Sequence, residues 1–169
     1  MTAFPHHTLD SAPERSRRRM AGIERAFGYL PAAVGLMATS PETLEAFSAA
    51  NAEFERSSLD PISREVVVMA IAGRYDCHVC IAMHTAQLER LDAPANLTAA
   101  LRDGLPLDDE RYEALRTFTL AALDGRGVVD DETHTRFQRA GYDKQNALEV
   151  VLALGVYTIS AFANRMTGA

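Results

Sequence analysis

Hydrophobic positions along this chain recur mostly at intervals of three and four residues, the spacing that gathers them on one face of an α-helix. Ala, Leu, Glu and Arg dominate these stretches, and no convincing alternation of apolar and polar residues indicates a strand. Ser40-Pro41 and Asp60-Pro61 are typical helix starts, because Ser and Asp are good N-caps and Pro suits the first helical position. The sequence therefore predicts an all-α fold.

The tail and the domain can be separated on the same pattern. Residues 1–13 contain Pro5 and Pro13 with little periodicity, so we expect a flexible N-terminal tail followed by a single domain over residues 14–169. Asp76 is expected to cap the helix that contains both cysteines, and Asp130 or Asp131 to cap the next to last helix. The predicted helices cover residues 14–28, 41–56, 61–73, 77–91, 94–102, 109–123, 131–141 and 143–166.

The last predicted helix is apolar nearly all round, with the sequence "ALEVVLALGVYTISAF". Val150, Val151 and Val156 would also suit a buried strand, but the length of the run favours a helix. A helix that is apolar on every side must be covered on several sides. We therefore expect a subunit interface here and a homo-oligomer.

Composition and charge narrow the class of protein. The chain has 169 residues, of which 47% are hydrophobic and 24% charged, as in an ordinary soluble domain. Its net charge of -6 disfavours binding to nucleic acid or to anionic membranes, and the basic run Arg15–Arg19 is interpreted as a solvated helix face. The N-terminus lacks the pattern of a secretory signal, and the longest apolar run, within Val150–Ala163, is judged too short for a bilayer. We expect a cytoplasmic protein.

The segment "YDCHVCIAMH" contains the chain's two cysteines, Cys77 and Cys80, followed by His84. On one helix these three side chains fall within roughly a 60° arc. Because stable structural disulfides are rare in the cytoplasm, the pair is more typical of catalysis or metal binding. The helix N-terminus favours a thiolate, and His84 lies one turn beyond Cys80, where it can take the thiol proton. Cys77 is then placed to close a disulfide after Cys80 is oxidised.

A third member of this site follows if the helices before and after residue 75 form an antiparallel hairpin. Glu65, ten residues before the turn, would then face the neighbourhood of His84. A carboxylate there would orient the imidazole, as in other activated nucleophiles. The predicted proton route runs from Cys80 to His84 to Glu65. Taken singly, Glu65 is more often a solvated helix residue and His84 a core histidine.

Two other uses of the cysteines fit the sequence less well. A zinc site would take Cys77, Cys80 and His84 with His78, but structural zinc normally uses two separated ligand pairs, and His78 points about 100° away from Cys77. A thioredoxin-like site requires a strand before the motif, and none is predicted. We therefore expect neither a bound metal nor a cofactor.

The spacing of Glu65, Cys77, Cys80 and His84 resembles the E-x11-C-x-x-C-x3-H motif of the alkylhydroperoxidase D-like proteins, which belong to the carboxymuconolactone decarboxylase superfamily. The flanking segments "LDPISREVVVMAIA", "LRDGLPLDDERYEALRTFTLAAL" and "RFQRAGYDKQNALEVVLALGVYTISAFANRM" are also similar to those of the family, so the resemblance covers roughly residues 30–166. The best-known members have a further histidine just before the second cysteine, where this chain has Val79.

The resemblance implies an alkylhydroperoxidase D-like helical bundle with a Cys-x-x-Cys helix hairpin and a long apolar C-terminal helix, assembled as a homotrimer or homohexamer. It implies a peroxidase of the alkylhydroperoxidase or peroxiredoxin type, with a hydroperoxide substrate and an unknown thiol reductant. Cys80 would attack the peroxide, Cys77 would resolve the sulfenic acid, and Glu65 and His84 would relay protons. Alternatives are a lactone enzyme of the decarboxylase branch, whose members lack the cysteine pair, a redox-sensing oligomer without enzymatic activity, and a helical oligomer whose pair is idle.

Overall fold

The structure, a computed structural model, describes residues 3–169, and this part of the chain contains nine α-helices and no strand. The all-α prediction is confirmed, and the apolar C-terminal run is a helix rather than a strand. The helices are α1 (Glu14–Phe27), α2 (Ala32–Met37), α3 (Pro41–Glu55), α4 (Pro61–Arg74), α5 (His78–Arg90), α6 (Ala95–Asp103), α7 (Glu110–Asp124), α8 (Asp131–Arg139) and α9 (Lys144–Thr167).

The predicted start signals operate as hydrogen-bonded caps. The Ser40 hydroxyl accepts a hydrogen bond from the Thr43 backbone N–H at 3.2 Å, and Asp60 accepts one from the Ser63 N–H at 2.9 Å. Asp143 begins α9 with a reciprocal capping box. Each such cap stabilises its helix by about 1 kcal/mol, so the observed starts follow from local chemistry.

Three local predictions need correction. The sequence prediction missed α2, a six-residue helix that is too short to show a full hydrophobic period. Asp76 is not an N-cap: its φ of 53° places it in the left-handed region, and Cys77 is the N-cap of α5. Helix α8 ends at Arg139 rather than at Gly141, because Gly141, with φ of 92°, already belongs to the turn.

Helix α4 is the central helix of the bundle. Every residue from 65 to 72 is buried, because α4 packs against α5, α7 and α9 on different sides. Apolar side chains from the surrounding helices complete this core, among them Phe54, Leu88, Leu115, Phe137 and Val150. The segment that carries Glu65 is therefore held rigidly from several directions.

A second, smaller apolar cluster joins the first three helices. Its buried members are Ala12, Met20, Met37, Ala38 and Leu44. This cluster holds α1 against α3 and places α2 on α9. Ala12 is only 2% exposed, so the end of the predicted tail is packed, whereas residues 1 and 2 lie outside the described part. The flexibility of the tail stays a prediction.

Helix α9 is partly uncovered in the isolated chain. Large apolar side chains on one side are exposed, with Leu148 and Met166 each at 72%. The homotrimer or homohexamer that the family resemblance implies would cover such side chains. It stays a prediction, which light scattering at micromolar concentration can test. The helix has 24 residues, close to its predicted bounds of 143–166. The expectation that its apolar run is too short for a bilayer needs correction, because within residues 3–169 it is the one helix long and apolar enough to cross one. Core helices of soluble proteins meet the same criterion, and Val150, Val156 and Tyr157 of α9 are buried.

Candidate active site

The turn between α4 and α5 places the cysteines at the start of α5. The chain reverses over Tyr75 and Asp76, and the Cys77 N–H donates to the Ala72 carbonyl at 3.0 Å. Arg165 of α9 donates from Nη1 to the carbonyls of Tyr75 and Asp76, at 2.8 and 2.5 Å. The predicted helix hairpin is confirmed, and α9 holds its turn in place.

Cys77 and Cys80 form a disulfide, with their Cα atoms 5.3 Å apart. Both residues are buried, at 1% and 4% exposure. They differ in what they face: Cys80 lines the large cleft of the molecule, whereas Cys77 does not belong to its lining. A small molecule in the cleft would therefore meet the sulfur of Cys80 first.

The structure brings Glu65 and His84 together as the hairpin argument predicted. His84 Nδ1 lies 2.7 Å from Glu65 Oε2, and the two side chains are 20% and 6% exposed. A carboxylate accepts, so Nδ1–H is the donor and Nε2 is the nitrogen left to accept a proton. Glu65 is thus a buried partner of the imidazole and not a solvated helix residue.

Tyr157 of α9 packs on the other side of this pair. Its ring meets the His84 ring edge to face, with the ring centres 5.4 Å apart, and its hydroxyl donates to Asn51 Oδ1 at 3.0 Å. Burial, and then the nearby Glu65 carboxylate, raise the pKa of Tyr157 far above its usual value. It therefore stays a neutral phenol that fixes the orientation of the imidazole.

Asn164 is a site residue that the sequence analysis missed. Its Nδ2 lies 3.4 Å from Cys80 Sγ and 3.8 Å from Cys77 Sγ, and the residue is 5% exposed. An amide donor aimed at two sulfurs stabilises negative charge on either of them. One signal could have revealed it: Asn164 continues, at intervals of three and four residues, the face of α9 that carries Val150, Ala153, Tyr157 and Ala161.

The remaining candidates lie outside this group. The His78 side chain is 86% exposed, with Nε2 3.5 Å from Asp76 Oδ1. No group of three or more His, Cys, Asp or Glu side chains among residues 3–169 is arranged to hold a metal ion. The site therefore consists of the cysteine pair, the Glu65–His84 pair, Tyr157 and Asn164.

The cleft in front of Cys80 has a volume of about 1060 Å³ and is open to solvent. Glu65, Cys80, His84, Tyr157 and Asn164 lie along its inner part. Helices α1, α2 and α3 supply the opposite side. The space is large enough for an organic molecule rather than hydrogen peroxide alone.

Comparison with known proteins agrees with this arrangement. Residues 41–106, which include the hairpin and its motif, match the carboxymuconolactone decarboxylase family. Over these residues the chain is similar to that family, and its fold is alkylhydroperoxidase D-like. A search of curated proteins found no match.

Solved structures share the alkylhydroperoxidase D-like fold over nearly the whole chain. The alkylhydroperoxidase AhpD core of an uncharacterized peroxidase-related protein from Ralstonia eutropha JMP134 is 20% identical with a TM-score of 0.85, and the match covers 98% of this chain and 89% of that one. An uncharacterized peroxidase-related protein from Silicibacter sp. TM1040 is 17% identical with a TM-score of 0.79, and the match covers 98% of this chain and 87% of that one. A cysteine-to-alanine variant of the debrominase Bmp8, in complex with 2,3,4-tribromopyrrole, is 17% identical with a TM-score of 0.78. That match covers 100% of this chain and 90% of the debrominase chain.

Proposed function

We propose that the protein is a thiol-dependent peroxidase that reduces hydroperoxides with the Cys77–Cys80 pair. One observation carries the proposal: Cys80 of the buried disulfide lines a cleft, and the buried Glu65–His84 pair lines the same cleft. A nucleophile, a base and a residue that orients the base are thus gathered at one end of a space that can hold a substrate.

The first step uses the reduced protein. The Cys80 thiol gives its proton towards Nε2 of His84, whose Nδ1–H is held by Glu65. The thiolate then attacks the terminal oxygen of the hydroperoxide. The O–O bond breaks, a sulfur–oxygen bond forms, and the alkoxide leaves as an alcohol after it takes the proton from His84. Cys80 is now a sulfenic acid, oxidised by two electrons.

The second step closes the disulfide. The Cys77 thiol attacks the Cys80 sulfur, the two sulfurs become bonded, and the hydroxyl group departs as water with the Cys77 proton. The short distance between the Cα atoms, 5.3 Å, allows this bond without movement of the helix. A two-electron thiol reductant, of a kind still to be identified, then restores both thiols by disulfide exchange.

The assignment of Cys80 as the attacking thiol rests on exposure to the cleft. Cys77 is the more deeply buried residue and does not line the cleft, so a peroxide has no direct route to it. This order is opposite to that of a thioredoxin-like site, in which the first cysteine attacks. Cys77 would act only after Cys80 is oxidised.

The fold alone does not select the reaction, because one fold serves several chemistries. The debrominase neighbour illustrates this breadth within the alkylhydroperoxidase D-like fold. A lactone enzyme of the decarboxylase branch would have no use for the cysteine pair. A redox sensor would form the same disulfide but would not turn over. Turnover of hydroperoxide with a thiol reductant therefore separates the peroxidase from these alternatives.

Thiol titration is the first test. The fully reduced protein is expected to show two free thiols per chain, and none after one equivalent of an organic hydroperoxide. Dithiothreitol should restore both and support repeated consumption of peroxide. Two thiols that persist after peroxide treatment would exclude the redox function, and oxidation without repeated turnover would favour the sensor.

Asn164→Leu is expected to raise the pKa of the Cys80 thiol by about one unit. The substitution removes the amide donor at 3.4 Å from Cys80 Sγ while nearly keeping the volume. A hydrogen bond to a charged group contributes about 1.5 kcal/mol, which corresponds to about one pKa unit. Alkylation by iodoacetamide, measured against pH, should be several-fold slower at pH 7 and approach the wild-type rate at high pH.

Asn164→Asp provides a comparison with the same shape. Its carboxylate would repel the thiolate, so the alkylation profile should move further towards high pH than in Asn164→Leu. Circular dichroism should show the native helix content in both variants. Profiles that coincide with the wild type would assign Asn164 a packing role only.

A further inference from the structure

We propose that the preferred substrate is an organic hydroperoxide that carries a carboxylate, held by arginines at the outer part of the cleft. This inference rests on the proposed function, since it names the substrate class of the same site. It gives a role to Arg18 of the basic run on α1, and to Arg25 of the same helix, which the peroxidase mechanism leaves without one.

The first observation is the charge of the cleft. Its lining includes five arginines but only three glutamates, so the cleft is positive although the chain carries a net charge of -6. A positive cleft in a negative protein concentrates anions and steers them inward. The arginines are Arg15, Arg18, Arg19, Arg25 and Arg90, and the glutamates are Glu45, Glu55 and Glu65.

The second observation is which of these arginines are engaged. Arg15 and Arg19 are paired with Glu42 and Glu45. Arg18, Arg25 and Arg90 make no ion pair and no side-chain hydrogen bond with any residue from 3 to 169. Three guanidinium groups around one opening thus remain available.

The three glutamates of the cleft are themselves engaged. Glu45 accepts from Arg19 Nε at 3.0 Å. Glu55 Oε2 lies 3.6 Å from Arg64 Nε, and Glu65 is bound to His84. They therefore oppose an incoming carboxylate only weakly, and the available guanidinium groups determine the charge preference.

The third observation is the apolar wall between the two ends. Ile23, Val34, Met37, Phe47 and Met83 line the cleft together with Cys80. A hydrocarbon body would bury apolar surface against these side chains, which is favourable at about 25 cal/mol per Å². The cleft thus has a reactive sulfur at its inner end, an apolar wall and cationic groups at its rim.

These features match an amphiphilic molecule with a peroxide at one end and an anion at the other. Guanidinium groups bind carboxylates through paired, charge-assisted hydrogen bonds. Anchored there, the molecule would direct its hydroperoxide towards Cys80. The chemistry is unchanged: the O–O bond breaks, Cys80 gains one oxygen, and the hydroxy acid is the reduced product.

The experiment compares a hydroperoxyoctanoic acid, which has a free carboxylate, with its methyl ester, which has the same hydroperoxide group and no charge. The acid is expected to have a kcat/KM about tenfold higher than that of the ester, because its KM is lower. A factor of about ten corresponds to one partly exposed charge-assisted hydrogen bond. In the variant with Arg18→Gln, Arg25→Gln and Arg90→Gln together, the advantage of the acid should vanish while the ester reacts at the wild-type rate.

Arg139→Gln is the matched control. Arg139 is an exposed arginine of α8 that does not line the cleft, so its substitution should leave the preference intact. Acid and ester with equal kcat/KM, or a preference that survives the triple substitution, would overturn the proposal while peroxidase activity stands.

Binding of the reduced product separates this proposal from the proposed function. Calorimetry with hydroxyoctanoate and its methyl ester needs no turnover, and the wild type should bind the acid more tightly than the triple variant does. If the acid binds through these arginines but no hydroperoxide is reduced, the anion site stands and the peroxidase function fails. If acid and ester bind equally, the anion site is excluded.

Discussion

Cys80→Ser is expected to reduce hydroperoxide turnover to the level of the uncatalysed reaction. Serine keeps the size of the side chain but has a hydroxyl group that is not ionised near neutral pH, so no nucleophile remains at the cleft. Cys77 does not line the cleft and cannot replace it. Peroxide consumption with excess dithiothreitol, followed by mass spectrometry of the remaining thiol, measures the effect.

Cys77→Ser is the matched comparison for Cys80→Ser. Its Cys80 should still be oxidised by one equivalent of peroxide, and the product should be a sulfenic acid that dimedone traps, because no resolving thiol is present. The opposite pattern, with a trappable sulfenic acid on Cys77 and little reaction at Cys80, would reverse the assigned roles. The first cysteine would then attack, as in a thioredoxin-like site.

Glu65→Gln is expected to lower peroxide consumption at neutral pH by at least tenfold. General acid–base assistance contributes about 10²–10⁴ in rate, and Glu65 is the buried carboxylate, 2.7 Å from Nδ1, that orients His84. Without this charge the imidazole accepts the Cys80 proton less readily, so the pKa of the Cys80 thiol should rise. The rate should therefore recover in part at higher pH, as a pH–rate profile of Cys80 alkylation would show.

The control for Glu65→Gln is Glu89→Gln, which removes the same charge from an exposed position on α5. Surface substitutions of this kind usually change stability by no more than about 0.5 kcal/mol, and the profile should match the wild type. Superimposable profiles for Glu65→Gln and the wild type would remove Glu65 from the mechanism and leave Cys80 and His84 to act alone.

The helices and half of the site were predictable because they depend on short-range chemistry. Caps such as Ser40 and Asp60 act within three residues, and the spacing of Cys77, Cys80 and His84 places them on one face of any helix that contains them. Asp76 shows the limit of this reasoning. An aspartate before a helix suggests an N-cap. In this tight turn, however, Asp76 adopts the left-handed backbone conformation, and the N-cap is the next residue, Cys77.

The position of Glu65 was predictable in part from the local sequence and in part only from the tertiary structure. Its contact with His84 was predictable from one assumption, that α4 and α5 form an antiparallel hairpin. The same assumption buries it beside His84, but the extent of its burial also depends on α7 and α9, which pack against α4 as well. Only the packed structure distinguishes a buried partner of His84 from a solvated helix carboxylate.

The sequence alone determined the all-α class, the main helices and the clustering of two cysteines with a histidine, since all of these arise from residues within a few turns of one another. The tertiary structure decided which sulfur faces the cleft and which distant residues surround it. Asn164 reaches Cys80 across 84 residues of chain, and Tyr157 reaches His84 from the same helix. Such contacts depend on how α9 packs against the hairpin, and helical periodicity specifies the face of a helix but not the partner that this face meets.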